Sequence, residues 1–383
     1  MRLSSRAAAA AGSATLGLSA DLARLRAQGA DIVGFLEGEP DLPAPPQVVE
    51  ATARAVKDGH TRYSQSNGLP ELRALIADKL SRENRVPTRE SEVLIANGSK
   101  QIIYETLQAL VGPGDEVLVL RPYWVTIPEA VKLAGATPVF VDCPNHQLSV
   151  PLLEAAITKK TRALVLNTPN NPTGAVYAEG DLRAAAALAV THDLFILSDE
   201  AYEHFVYDGR KHASVASFGP EIAARTATIQ TFSKSFSMTG FRLGYLAAPQ
   251  TLVDAVARIH GHVTGNACTF AQHGAIAALK LPPQFLEDRR ALFQRRRDLA
   301  LGLAQKLFGC VKPEGAFYLF LDAAKHLNAK HPDSAALASH LLHHAKVALV
   351  PGSAFGLENH LRLSYTASED NIKKGLARIA EAL

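Results

Sequence analysis

Lys234 sits between Ser233 and Ser235, with Phe232 and Phe236 just outside them, and Arg242 follows across a Gly-containing turn. A lysine among apolar and cationic neighbours can hold its proton weakly and act as an imine-forming nucleophile; standing alone it would be a solvated loop lysine. Arg242 with Ser233 offers forked donors that grip phosphate, or, alone, half of a surface ion pair. Gly98-Ser99 opens a helical pattern. There it offers free backbone N–H groups and the positive end of a helix dipole to an anion, or simply a serine cap. Asp199 ends an apolar run, where a carboxylate caps the next turn or holds a cation. Trp124 is the one tryptophan of the chain, a core residue by default and otherwise a surface for ring stacking.

These residues need a scaffold that brings them together. Short apolar runs read as strands over Val93–Ala96, Glu116–Leu120, Thr137–Val141, Ala163–Asn167, Leu194–Ser198, Thr226–Thr231 and Leu243–Ala247. Helical patterns fall between them, over Lys100–Val111, from about Thr126, and over Asp181–His192. Such alternation implies parallel strands with right-handed crossovers, an α/β domain. Ligands of an open parallel sheet bind beyond the carboxyl ends of its strands. Gly98, Trp124, Asn171, Asp199 and Lys234 all follow strand ends. After Gly309 the pattern changes to that of a smaller α+β domain, and two domains suit 383 residues. By its lack of strand alternation, the stretch before about Ser91 groups with the smaller domain.

Lys and Arg total 40 against 37 Asp and Glu, a net charge of +3, which argues against a general nucleic-acid binder. The helix near Pro283–Leu307 carries Arg289, Arg290, Arg295, Arg296 and Arg297, read as a solvated face with Glu287, Asp288 and Asp298. No run approaches the roughly 18 apolar residues of a membrane helix. Arg2 and Arg6 before Ala7–Ala11 look partly like a targeting peptide, but no cleavage pattern follows, so a cytoplasmic location is expected. Cys143, Cys268 and Cys310 read as three buried thiols without disulfide or metal spacing. His340, His343 and His344 lack a nearby carboxylate or cysteine and read as a wet helix face, so no metal is expected.

Together the strand-end residues match one ligand. Ser99, Ser233 and Arg242 suit a phosphate, Asp199 a protonated pyridine nitrogen, Trp124 an aromatic ring, Asn171 and Tyr202 a ring hydroxyl, and Lys234 an aldehyde. That ligand is pyridoxal 5′-phosphate (PLP). The chain accordingly resembles the class I PLP-dependent aminotransferases of fold type I, close to the bacterial aspartate aminotransferases. The motifs carrying the resemblance are Gly38-Glu-Pro-Asp41, Tyr63 with Gly68-Leu-Pro-Glu-Leu-Arg73, Asn97-Gly-Ser-Lys-Gln101, Pro122-Tyr-Trp124, Asn170-Asn-Pro-Thr-Gly174, Ser198-Asp-Glu-Ala-Tyr202, Ser233 to Arg242 and Arg362-Leu-Ser-Tyr365. Each is weak alone, and their order is specific.

The resemblance implies a large PLP-binding domain over 46–285 with a mostly parallel sheet flanked by helices. It also implies an α+β small domain over 286–383, joined by an N-terminal arm and small-domain part over 1–45. It makes Lys234 the lysine that carries the cofactor and moves the substrate proton, and Asp199 the partner of the pyridine nitrogen. Tyr202 and Asn171 would hydrogen-bond the ring oxygen, keeping the pKa of the lysine linkage low, and Trp124 would stack on the ring. Gly98, Ser99, Lys100, Ser233 and Arg242 would line the phosphate end, with Tyr63 reaching in from a second subunit, which implies a homodimer with active sites at its interface. Arg362 would fork onto the substrate carboxylate, helped by Asn171 and the backbone at Gly38. The implied reaction is ping-pong transfer of an amino group from an L-amino acid to 2-oxoglutarate, oxaloacetate or pyruvate.

The departures bear on the substrate. The stretch His260–Phe270 lacks the arginine with which one branch of the family binds an acidic side chain. Lys100 and Ser13–Thr15 match the alternative used by another branch, so aspartate and glutamate remain expected within a broad specificity, while Glu37 would favour neutral, aromatic or basic amino acids. Glu37 stands where the family often has a small or apolar residue, and an acid there would repel a substrate carboxylate unless Lys100 neutralises it. The rivals are a β-lyase or other non-transaminating enzyme on the same fold, and a PLP-sensing regulator, for whose DNA-binding domain the pattern leaves no room.

Overall fold

The strands read from the sequence are apolar on both faces, which suits a sheet covered by helices on either side. The computed structural model describes Ser4, residues 11–12 and residues 14–383. Its main sheet has seven strands: β1 (Val93–Ala96), β2 (Glu116–Arg121), β3 (Thr137–Asp142), β4 (Thr161–Asn167), β5 (Phe195–Asp199), β6 (Thr226–Thr231) and β7 (Gly244–Ala247), in the order β1-β7-β6-β5-β4-β2-β3. Helix α1 (Pro70–Lys79), α2 (Ser99–Leu110), α3 (Glu179–Thr191) and α4 (Gln250–Val263) cover it. The alternation within each strand decides which face a residue serves. Val117 and Val119 pack with Ile102, Ile103 and Leu107 of α2 and Val253 and Val256 of α4. Leu118 and Leu120 pack with Leu182, Ala185 and Ala186 of α3 on the other side.

Strands β2 to β6 run parallel, but β7 is antiparallel to both neighbours. The physical reason lies in the connection Phe232–Leu243. It holds only two short helical turns, Phe232–Ser235 and Thr239–Phe241, and no crossover helix able to return the chain to the start of the sheet. The same connection is the one that carries Lys234 and Arg242.

The second sheet joins β8 (Gly309–Cys310), β9 (Tyr318–Asp322), β10 (Val350–Pro351) and β11 (His360–Ser364), all antiparallel, in the order β10-β11-β9-β8. Helix α5 (Pro283–Ala304) and α6 (Glu369–Ala382) pack on it through Phe293, Ala300, Ile372, Leu376 and Ile379. Val33–Gly34 pairs in parallel with Val347–Ala348, which ties the segment before Gly38 to this part of the chain. The stretch before Ser91 does not all follow it. Val48, Leu72 and Ile76 share a core with Val93, Ile95 and Tyr245 of the main sheet, because their helices present apolar faces to β1 and β7.

Three of the five arginines of α5 are not a solvated face. Arg297 is fully buried with its guanidinium on Asp208 and Asp298; Arg296 holds both carboxylate oxygens of Asp41 at 2.7 and 3.0 Å; Arg289 donates to Pro43 O at 3.1 Å. Only Arg290, paired with Glu287 at 2.6 Å, and exposed Arg295 behave as the composition suggests. Of the cysteines only Cys143 is fully buried. His340 is likewise less wet than expected: its ring lies 4.2 Å from that of His331 and 4.5 Å from that of His344, and its Nε2 meets Ala382 O at 3.1 Å. Among the described residues, no helix is long and apolar enough to cross a membrane.

Candidate active site

The sheet register brings the chemistry to one edge. Asn167 and Asp199 are paired neighbours at the carboxyl ends of β4 and β5, Thr231 ends β6, and Ala96 and Gly244 pair across β1 and β7. Gly244 has to be a glycine: a Cβ there would lie 2.7 Å from Ser99 N. Its absence lets the amino end of α2 approach the turn after β6. Above these ends lies a cavity of about 480 Å³. Apart from Tyr63 and the Ser13–Thr15 segment, the residues that the sequence nominates line it: Glu37, Gly38, Gly98, Ser99, Lys100, Trp124, Asn171, Asp199, Tyr202, Ser233, Lys234, Arg242 and Arg362. Tyr63 is 95% exposed and stands outside this cavity. Ser13 of the Ser13–Thr15 segment lies outside the described residues, as does the side chain of Thr15.

One end of the cavity is built for an anion. Gly98 takes φ +85, a left-handed conformation open to glycine, and no side chain caps α2, so its first N–H groups remain available. The Arg242 guanidinium packs against Gly98 so closely that a Cβ there would fall 2.8 Å from Nη2. Arg242 is itself left-handed at φ 55, a strained conformation for a residue with a side chain. It donates only to carbonyl oxygens, Thr239 O at 2.8 Å and Asn97 O at 3.5 Å, and pairs with no carboxylate among the described residues. Its charge is therefore free for a phosphate. Ser233 is buried beside it, its hydroxyl 3.0 Å from that of Thr231.

The middle of the cavity holds Lys234 and Asp199. Lys234 Nζ donates to Gly38 O at 2.5 Å. Desolvation lowers its ammonium from the usual value to about 8; Arg242 and Arg362 push the same way, against Glu39 and Asp199. Burial raises the Asp199 carboxyl to about 7, with Glu200 adding to the rise while the Ala201 N–H and Lys234 oppose it. A carboxyl held near neutrality by burial is one that a cationic ring nitrogen would convert to a carboxylate. Lys100 lies 5.2 Å from the Trp124 ring centroid, and burial and Arg242 lower its ammonium. No carboxylate of the described residues pairs with it.

The far end suits a carboxylate. Buried Arg362, on β11, donates to Asn171 Oδ1 at 2.9 Å and to Leu36 O at 2.5 Å, while its Nε has no partner. A guanidinium edge fixed by two neutral acceptors and left with an orphan N–H is a preformed fork. Asn171 is in turn held by its N–H on Asn167 Oδ1 at 2.9 Å.

The cavity also contains residues that the motifs left without a role: Leu36, Glu39, Asn167, Ala201, Thr231, Thr239 and Tyr318. Thr239 lies inside a quoted motif, and its hydroxyl donates to Glu39 at 2.6 Å. Behind Asp199 sits a second polar cluster. Glu203 accepts from Lys79, Asn84 and Gln230, and Glu200 accepts from Ser198, Ser214, Gln230 and His212. Glu200, Glu203 and His212 are close enough together to hold a metal ion, but these donors already occupy the carboxylate oxygens.

The family model of class I and II aminotransferases matches residues 30–379, a stretch that holds the whole cavity lining. The chain belongs to this family. It is 44% identical to a probable aspartate/prephenate aminotransferase of Aquifex aeolicus, with 100% of this chain and 98% of that protein covered. It is 40% identical to an aspartate aminotransferase of Bacillus subtilis, at 99% and 98% coverage. The solved aspartate aminotransferase of Thermus thermophilus with maleate superposes over 100% of both chains with a TM-score of 0.95 at 41% identity. This aminotransferase therefore has fold type I, an α/β fold with a mostly parallel central sheet, and depends on PLP. The cavity suits that cofactor in chemistry: the anion cradle would fit its phosphate, Lys234 its aldehyde and Asp199 its ring nitrogen.

Proposed function

We propose that this aminotransferase uses aspartate as its foremost amino donor and a 2-oxo acid as acceptor, with catalysis carried by Lys234, Asp199 and Tyr202. The observation that carries the reading of the substrate is Lys100, a cation on the cavity wall without a carboxylate partner among the described residues, in the same cavity as the fork of Arg362. Of the four cations that line the cavity, Arg242 and Lys234 would serve the cofactor, and the remaining two, Lys100 and Arg362, suit a dicarboxylate. The Thermus relative is described with maleate, itself a dicarboxylate.

The cofactor supplies an electron-accepting ring that stabilises negative charge at the substrate Cα. Gly98, Ser99, Ser233 and Arg242 hold its phosphate, with Tyr63 of a second copy completing the site in a homodimer; the exposure of Tyr63 outside its own cavity supports that assignment. Asp199, as a carboxylate, holds the ring nitrogen protonated. Trp124 packs on the ring face, and Tyr202 and Asn171 donate to the ring oxygen. Arg362 and Asn171 fix the α-carboxylate. Lys234 Nζ, an amine with a pKa near 8, would be matched to taking up and giving back the proton of the substrate Cα. We further assign residues 46–285 to the cofactor domain and 286–383, with 1–45, to the smaller one, in a cytoplasmic enzyme.

The test is steady-state kinetics of the PLP-loaded protein with aspartate and 2-oxoglutarate, alongside Lys234→Ala. Aspartate is expected to be consumed only when the acceptor is present, and turnover to vanish in the variant. Donor loss without acceptor would identify a lyase instead.

A further inference from the structure

We propose that Tyr318 is a positioning residue for Tyr202, donating to the Tyr202 oxygen so that Tyr202's own hydrogen is aimed into the cavity at the cofactor's ring oxygen. The proposal rests on the role assigned above to Tyr202. Both side chains are buried, at 1% and 4% exposure, and both line the cavity. Their hydroxyl oxygens are 2.7 Å apart. Neither oxygen has another hydrogen-bond partner among the described residues.

Two phenols bring two hydrogens, and the contact between them uses one. The other has no acceptor in the protein. A buried O–H without an acceptor is costly, so it is met by whatever occupies the cavity. The direction follows from acidity. Burial raises both phenols, Tyr202 well above its usual value. The Arg362 guanidinium opposes the rise in both, but it lies over the ring of Tyr318 itself, 4.6 Å from the centroid, and a cation on the ring face draws charge from that phenol's oxygen and makes it the more acidic of the two. The more acidic phenol is the better donor, so Tyr318 donates and Tyr202 accepts. Accepting that bond strengthens Tyr202's donation to the next group in the chain.

The Tyr318 oxygen is also held in place. A Cβ at Gly38 would lie 2.1 Å from it, so the backbone at Gly38 packs directly against the hydroxyl. The same Gly38 carbonyl accepts from Lys234. Tyr202 meets Tyr318 edge-on, with ring centroids 5.7 Å apart at 82°. Tyr318 cannot turn its hydroxyl away without disturbing the backbone that anchors the lysine or the packing of the arginine.

A hydrogen bond to the ring oxygen draws negative charge away from the adjacent nitrogen of the lysine linkage and lowers that nitrogen's pKa. Weakening the bond raises it. The test is pH titration of the visible absorbance of the PLP-loaded wild type, Tyr318→Phe, Tyr202→Phe and the double variant. Phenylalanine keeps the ring and its contact with Arg362. Tyr318→Phe is expected to raise the midpoint by about half a unit to one unit, roughly 3- to 10-fold in proton affinity. Tyr202→Phe is expected to raise it further and to abolish the effect of Tyr318→Phe. An unchanged or lowered midpoint in Tyr318→Phe alone overturns the proposal, as does a Tyr318 effect that survives in the Tyr202→Phe background. An unmoved midpoint in Tyr202→Phe overturns it together with the role of Tyr202 beneath it.

Discussion

Lys234 offers a quantitative test on the cofactor-free protein. Desolvation takes its ammonium from 10.5 to about 8. At about 1.4 kcal/mol per unit, reduced for solvent reaching a partly buried amine, this costs the folded state about 2–3 kcal/mol whenever the lysine is charged and the unfolded chain is too. The folded pKa lies below the unfolded one, so the cost is fully present below pH 8. It disappears as pH rises from 8 to 10.5, and stability climbs through that window. Asp199 acts in the opposite sense and elsewhere: its carboxyl is raised from 3.8 to about 7, so its contribution falls away as pH rises between those values. Urea unfolding of the cofactor-free wild type and of Lys234→Met, measured from pH 6 to 11, reads the lysine from the window between pH 8 and 10.5, above the range in which Asp199, itself coupled to Lys234, titrates. Lys234→Met should be the more stable by about 2–3 kcal/mol at pH 7, with the difference closing between pH 8 and 10.5. The same shift leaves roughly a tenth of the amine neutral at pH 7, about 300-fold more than for an ordinary lysine. Capture of added PLP should therefore quicken with pH and level off near pH 8. A stability difference that is flat from 8 to 10.5, or a capture rate still climbing tenfold per unit at pH 10, would refute the reasoning.

Three further outcomes are expected. Gly38→Ala sets a Cβ 2.1 Å from the Tyr318 hydroxyl and should cost about 1–3 kcal/mol in thermal unfolding, with part of the loss recovered in Gly38→Ala/Tyr318→Phe. Lys79→Met leaves the buried Glu203 carboxylate without its ammonium partner and should destabilise by about 3–5 kcal/mol, whereas Lys79→Met/Glu203→Gln should restore most of it in the same assay. Lys100→Ala should lower kcat/KM for aspartate roughly tenfold or more relative to alanine, and Glu37→Ala should move that ratio the other way; unchanged ratios would remove both residues from substrate selection.

The site was legible because its chemistry comes in short contiguous pieces. Asn97 to Lys100, Ser198 to Tyr202 and Ser233 to Arg242 each follow a strand, and the topology of a parallel sheet delivers strand ends to one edge. The direction of β7 was less legible, because an apolar run reads alike in either direction and only the lack of a crossover helix before it decides. Tyr318 was illegible for a different reason. It opens an apolar strand, Tyr318–Asp322, and its partner Tyr202 is 116 residues away, so no local pattern separates its hydroxyl from ordinary core. Lys79 and Glu203, 124 residues apart, are hidden in the same way.

The arginines of α5 show what such long-range pairing does for the site. By composition they belong on a wet face, since isolated charges are costly to bury. Arg296 meets that cost with a two-pronged contact to Asp41, 255 residues away, and Arg289 reaches Pro43 O from the same helix. Asp41 and Pro43 follow directly on the segment whose carbonyls at Leu36 and Gly38 receive Arg362 and Lys234. That segment is pinned upstream by the pairing of Val33–Gly34 with Val347–Ala348 and downstream by the two arginines. The aspartate that closes Gly38-Glu-Pro-Asp41 is thus placed to hold the loop rather than to meet a ligand, and the basic helix sets the position of the carbonyls that orient the lysine and the arginine fork.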